Sequence, residues 1–222
     1  MPSGNPLHKG TGFLHVVEEL RRLPDVRRRV PKDLWHYLDE TVLPSSWYPE
    51  RHYALLLHAL VSALDPREAG GAPWSHLGRL SARQDLARDS SSVTPPPGES
   101  GPPSRAGSGY YRQFVKSGPI DPGAFFLRVK KLWQLRHDTG SLEVTRLSLD
   151  PPRVKLRLDG FRFGEAGMAE LQTAYVLEFG RLSGIAMHGR LTSSRATGTT
   201  EWEYTLEPGS AITAWPESLP DA

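Results

Sequence analysis

Residues 152–159, Pro152-Arg153-Val154-Lys155-Leu156-Arg157-Leu158-Asp159, set Val154, Leu156 and Leu158 alternately against Lys155, Arg157 and Asp159. A period of two sends successive side chains to opposite faces, so the stretch predicts a strand with one face in a core and one in solvent. Upstream, Leu142 and Val144 begin a similar alternation that changes phase before Leu147 and Leu149, and a bulge or strand end near Thr145 accounts for the shift. Asp150-Pro151-Pro152 reads as the turn between the two strands. Downstream, Met168, Leu171, Tyr175 and Phe179 recur at helical spacing between Gly167 and Leu182. Two more strands follow, Ile185–Leu191 and Glu201–Leu206, joined around Thr197-Gly198-Thr199. In the last, Trp202, Tyr204 and Leu206 face one side and Glu201, Glu203 and Glu207 the other. The fold class is therefore α+β, with N-terminal helices packed on a C-terminal ββαββ antiparallel sheet.

The N-terminal half reads as helical throughout. Phe13, Val16, Val17 and Leu20 form one face, ended by Pro24; Leu34, Trp35 and Leu38 form another after Pro31. From Pro49 onward, His52, Leu55, Leu56, Ala59, Leu60 and Ala63 repeat as a core-facing stripe that Pro66 stops. Trp74, Leu77, Leu80 and Leu86 mark a weaker fourth helix. Residues 90–108, SSSVTPPPGESGPPSRAGS, hold almost no apolar anchor and read as a linker or loop insertion. Helices over Tyr110–Val115 and Pro122–His137 follow, the second with Phe126, Val129, Leu132, Trp133 and Arg136 on one face and Gly140 as its stop. The division is a helical part over 11–89, the linker over 90–108, a helix pair with the ββαββ part over 109–208 in the same domain, and a tail over 209–222. Leu55, Leu56, Val129, Trp133, Leu156 and Trp202 are expected to share one core.

Composition narrows the chemistry. At 38% hydrophobic and 23% charged residues the chain is globular, and a net charge of +2 demands neither nucleic acid nor an acidic membrane. Absence of cysteine excludes disulfides, thiolate catalysis, iron–sulfur clusters and thiolate zinc sites. With no membrane span and no apolar leader in residues 1–10, a cytoplasmic protein is expected.

Leu43-Pro44-Ser45-Ser46-Trp47-Tyr48-Pro49, the block from Leu132 through Arg136-His137-Asp138-Thr139-Gly140 to Val144, Gly160-Phe161, and Ala196-Thr197-Gly198-Thr199-Thr200-Glu201-Trp202-Glu203-Tyr204 occur in an order and spacing that resembles a family of uncharacterised myxobacterial proteins. That family is similar to the 4-vinyl-reductase domain, the haem nitric-oxide-binding fold and TRAPP-type trafficking subunits. The resemblance implies helices around a four-stranded antiparallel sheet with a cavity between them, and functions in sensing, scaffolding and regulation. Where 4-vinyl-reductase relatives present two hairpin cysteines, this chain has Ser194 and Trp202. The Tyr-x-Ser-x-Arg signature of the haem-binding relatives is missing, and no cofactor is expected.

The eight histidines, His8, His15, His36, His52, His58, His76, His137 and His188, show no HxH, HxxxH or HExxH spacing. His52 and His58 fall on nearly opposite sides of one helix, so no metal site is expected. His137, beside Asp138 at a helix end, reads as a cation stabilised by the helix dipole. No nucleophile elbow, phosphate loop or paired acid and base is present, so no catalytic residue is named. Arg21-Arg22, Arg27-Arg28-Arg29 and Arg128/Lys130/Lys131 lack interleaved aromatics and suit a solvated face or an acidic protein surface better than nucleic acid. Large rings read first as core; if a pocket persists at the helix–sheet seam, Phe126, Trp133, Trp202 and Tyr204 are its expected lining. The leading expectation is a non-catalytic regulatory or scaffold module binding a protein partner, with homo-oligomerisation left open. The alternative is a small-molecule sensor with an apolar pocket between helices and sheet.

Overall fold

The structure, a computed structural model, describes residues 6–65, 67, 69–90, 122–162, 167–195 and 198–207. Residues 91–108 of the Pro-rich tract, the helix expected over 110–115 and the tail over 209–222 lie outside the described residues. Strand β1 (Leu7–Lys9) runs directly into α1 (Gly10–Arg22), which buries Phe13, Val16, Val17 and Leu20 and ends before Pro24. Arg21, in its last turn, donates to the carbonyls of Tyr37 and Leu38 at 2.9 Å each, tying down the short helix α2 (His36–Asp39). Strand β2 (Trp47–Pro49) pairs antiparallel with β1 and leads into α3 (Glu50–Val61). The N-terminal half is thus not wholly helical: three-residue strands are too short to show a period of two.

In α3 the buried stripe is Tyr53, Leu56, Leu57 and Leu60 with Ala54 and Ala59, while His52, Leu55 and Ala63 are half-buried. The helix is turned by about one position from its expected face because Tyr53 reaches inward to stack on His8. Helix α4 (Pro73–Ser90) had the weakest apolar stripe, and the structure shows why. It packs along the helix Met168–Leu182 through small residues: a Cβ on Gly78 would lie 2.2 Å from the Leu171 carbonyl oxygen and 3.0 Å from Ala174 Cβ.

Helix α5 (Pro122–Arg136), strands β3 (Ser141–Leu149) and β4 (Pro152–Asp159), helix α6 (Met168–Leu182) and strands β5 (Met187–Arg195) and β6 (Thr199–Leu206) complete the chain. The sheet is antiparallel in the order β3-β4-β6-β5. The phase change falls at Leu147, between Arg146 and Ser148 in the β3–β4 register, two residues beyond its expected place. Val154, Leu156, Leu158, Trp202, Tyr204 and Leu206 cover the helix-facing side. The outer side is laced by Arg157–Glu201 (3.7 Å) and Arg190–Glu203 (3.2 Å) cross-strand pairs.

Two buried clusters result. Val129, Trp133, Leu156 and Trp202 belong to the sheet cluster, Leu56 to the helical one, with Leu55 at its margin; the expected single core is divided. Helices α4 and α6 join the two, contributing Leu77 and Leu171 to one and Ala82 and Tyr175 to the other. No described helix is long and apolar enough to cross a membrane.

Candidate functional site

Where the β1–β2 ribbon meets the end of α5, polar side chains converge inside the molecule. The Leu7 amide donates to Asp138 Oδ1 at 2.6 Å and the Asp138 amide to the Leu7 carbonyl at 3.3 Å, with His8 bridged to His137 along the backbone. This seats His8, the middle residue of β1, beside His137, which follows α5 directly. Glu50, the first residue of α3, is set by its own amide, which donates to the Pro6 carbonyl at 2.8 Å. Their relative exposures are 2% for His8, 4% for Glu50 and 6% for His137, so all three are inside the protein.

His8 Nδ1 lies 3.1 Å from Glu50 Oε2 and His137 Nδ1 lies 3.3 Å from the same oxygen. The second approach is not aligned as a hydrogen bond. Among the described residues, His8 Nε2, Glu50 Oε1 and His137 Nδ1 are buried without a hydrogen-bond partner. The rings are held by packing: His8 stacks on Tyr53 at 3.8 Å and meets His137 edge-on at 4.7 Å, and His137 stacks on Trp133 at 3.8 Å. Burial opposes the charge of Glu50, but the flanking imidazoles outweigh it and hold the carboxyl well below its usual range. Burial also pushes His137 down to about 4, against the pull of Glu50. His137 is therefore a neutral imidazole near pH 7, and the expected dipole-stabilised cation is corrected: desolvation decides it.

A second buried group adjoins the first. Asp85 of α4 bonds His15 Nε2 of α1 at 3.0 Å, the Tyr175 hydroxyl of α6 at 2.7 Å, and Arg136 of α5. Burial resists ionisation there too, yet Arg136, His15 and Tyr175 hold the carboxyl down to about 2. Between the two groups and the sheet lies a partly open cavity of about 50 Å³. His8, Tyr53, Arg136, His137, Gln172 and Tyr175 supply its polar wall; Trp133, Trp202 and Tyr204 are among its aromatic wall. Phe126 is not in that wall. It is fully buried behind Tyr204, ring centroids 5.5 Å apart, because the part of α5 that faces the cavity lies further along, from Val129 to Arg136. Ser194 is exposed on β5, away from Trp202.

Elsewhere, a wider groove of about 750 Å³ runs between α4, α6 and β5, with Arg79, Glu178, Arg181 and Leu191 on its walls.

The sequence gives no spacing that singles out His8, Glu50 or Asp85, whose partners lie 42 and more positions away. The nearest signal was a carboxylate at the head of an apolar helix, Glu50 after Pro49, which by itself reads as helix-dipole compensation. The expectation of scattered histidines fails for His8 and His137, which the β1–α5 contact brings together.

No family profile and no curated protein matches the sequence. Solved structures do match in fold. A Tt H-NOX double variant aligns with 90% of this chain and 94% of its own length at a TM-score of 0.52 and 9% identity. A Cs H-NOX carrying 4-cyano-phenylalanine aligns with 90% and 96%, at a TM-score of 0.51 and 8% identity. At such identity the likeness is one of architecture, and this chain has a fold similar to that of H-NOX domains.

Proposed function

We propose that this chain is a sensor module that takes a ligand of a few heavy atoms into the seam between its helices and its sheet, and does not turn it over. The observation that carries the reading is the partly open cavity of about 50 Å³, with ionisable groups on one wall and aromatic rings on another. Its placement between the helical and sheet layers of an H-NOX-like fold supports the sensor reading over the scaffold. The cavity's size sets the ligand's size. A water needs roughly 10–15 Å³ by this measure, so about three to five fit, whereas drug-sized ligands occupy roughly 300–1,000 Å³. A haem does not fit: a cavity of about 50 Å³ walled by Trp133, Trp202 and Tyr204 is far below the roughly 300 Å³ and more that even a drug-sized ligand occupies. The ligand of this chain is accordingly smaller than a haem, and its pocket sets a few ionisable groups against a mainly apolar lining.

Trp133 and Trp202 on the cavity wall provide the readout. A library of small neutral and anionic molecules should contain members that shift tryptophan emission and raise Tm in the wild type. The same members should act less on Val176→Phe, which builds into the cavity. If every response is identical in the two proteins, the cavity is not the binding place.

The scaffold reading retains one observation, the 750 Å³ groove between α4, α6 and β5. It takes precedence if the cavity test fails and a double charge reversal at Arg79 and Arg181 abolishes a protein contact.

A further inference from the structure

We infer that His8, Glu50 and His137 form a binding site for one divalent first-row transition cation, with Zn²⁺ as the reference ion. The donor set comes first. Two imidazoles and one carboxylate suit zinc and its neighbours, and three protein ligands leave coordination positions open. The spacing follows. Bonds of about 2.0–2.2 Å at near-tetrahedral angles set neighbouring donor atoms roughly 3.3–3.5 Å apart. Here the two imidazole nitrogens stand 3.1 and 3.3 Å from Glu50 Oε2, and one donor atom from each of the three residues falls within 4.8 Å of the others.

The simpler arrangement is a hydrogen-bonded chain in which both rings lean on the carboxylate. It accounts for His8 Nδ1 and Glu50 Oε2 but leaves His137 Nδ1 and Glu50 Oε1 buried without partners; His8 Nε2, on the far side of its ring, is unpartnered in either arrangement. Buried polar atoms are nearly always satisfied, and orphans concentrated in one cluster are unusual. A cation between the three side chains would engage the His137 nitrogen and, through a bidentate carboxylate, the second Glu50 oxygen. The ring orientations are fixed in advance, His8 by Tyr53 and by Gly12, where a Cβ would come within 2.4 Å of His8 Nε2, and His137 by Trp133. His8 and His137 also line the 50 Å³ cavity while Glu50 does not, so the open coordination positions face that space. The inference thus rests on the sensor reading and gives its ligand a class: a small molecule or ion that coordinates a metal.

The test uses the full chain, stripped with a chelator and titrated with Zn²⁺ and then Co²⁺. One equivalent should bind by native mass spectrometry, and Co²⁺ should give visible d–d absorption. His137→Gln and Glu50→Gln should each weaken Zn²⁺ binding at least about 100-fold, since even outer-shell changes cost about 10–100-fold. His188→Gln, at an exposed histidine, should bind as the wild type does. If either variant fails to fold, the Co²⁺ wild type decides the matter, because its proton NMR spectrum should show hyperfine-shifted signals from two imidazoles. Less than stoichiometric binding, unchanged affinity in folded His137→Gln, or shifted signals from other than two imidazoles would overturn the site. The two readings fail separately. Small ligands that act without metal leave the sensor standing alone, and a bound metal whose spectrum no small ligand perturbs leaves a structural ion in a protein that is not a sensor.

Discussion

Gly12 and Trp133 sit on opposite sides of the histidine pair and show how tightly single residues are specified there. Gly12→Ala would put a methyl 2.4 Å from His8 Nε2, so His8 must move or the β1–α1 junction must open. Overpacking of this kind costs about 1–3 kcal/mol, and the expected result is a lower urea midpoint with the His8–Tyr53 stack lost. A Gly12→Ala protein as stable as the wild type would mean that His8 has another rotamer available. Trp133 is buried, stacks on His137 and meets Phe161 edge-on at 4.9 Å. Trp133→Ala should therefore cost about 3–5 kcal/mol, the usual range for a large ring removed from a core. A loss below about 1 kcal/mol would place that ring outside the packed interior. Trp133 was legible in the sequence because its neighbours on α5 share its period. His8 was not, since nothing in three residues of strand announces a side chain whose partners are supplied by α3 and by the end of α5.

At the level of elements, Asp85 is the point where four helices meet: α4 carries it, and α1, α5 and α6 supply His15, Arg136 and Tyr175. Its folded carboxyl is held at about 2 against an ordinary 3.8. The unfolded chain therefore takes up the proton first, so the stabilisation is complete above about pH 4 and disappears as pH falls toward 2. Asp85→Asn should lose about 3–5 kcal/mol at neutral pH, the usual cost of removing one partner of a buried ion pair, and should show a shallower acid limb. Glu50 and Glu178, depressed in the same direction, keep that limb from vanishing. Parallel acid limbs in the two proteins would show that Asp85 is not a source of it. Elements with long, regular periods were readable in advance: β4, β6, α1 and α5 follow their apolar spacing closely. Helix α4 was the least legible, although it is 18 residues long, because its contact with α6 is made by Gly78 and Ala174, whose small side chains add little to a hydrophobic stripe. The face of α3 slipped by a residue for a related reason, since Tyr53 is amphipathic and its inward turn depends on His8.

Across the whole molecule, the helical and sheet clusters are linked by α4 and α6, and Leu171 stands where they meet: it belongs to the helical cluster and also lines the cavity. Leu171→Ala should cost about 2–5 kcal/mol and lower both halves together, so that far-ultraviolet dichroism and tryptophan emission still report one coincident transition. Two separated transitions would mean that the clusters unfold independently. The β1–α5 contact has a further consequence for how the protein is made. Asp138 lies 131 positions beyond Leu7, and at about 5–20 residues per second this is roughly 7–26 s of synthesis. During that interval the strand bearing His8 has no carboxy-terminal partner to close against. Nascent chains released before His137 should therefore expose an unlatched amino-terminal ribbon to proteases and chaperones, and ribosomal pausing beyond that position should let the latch form.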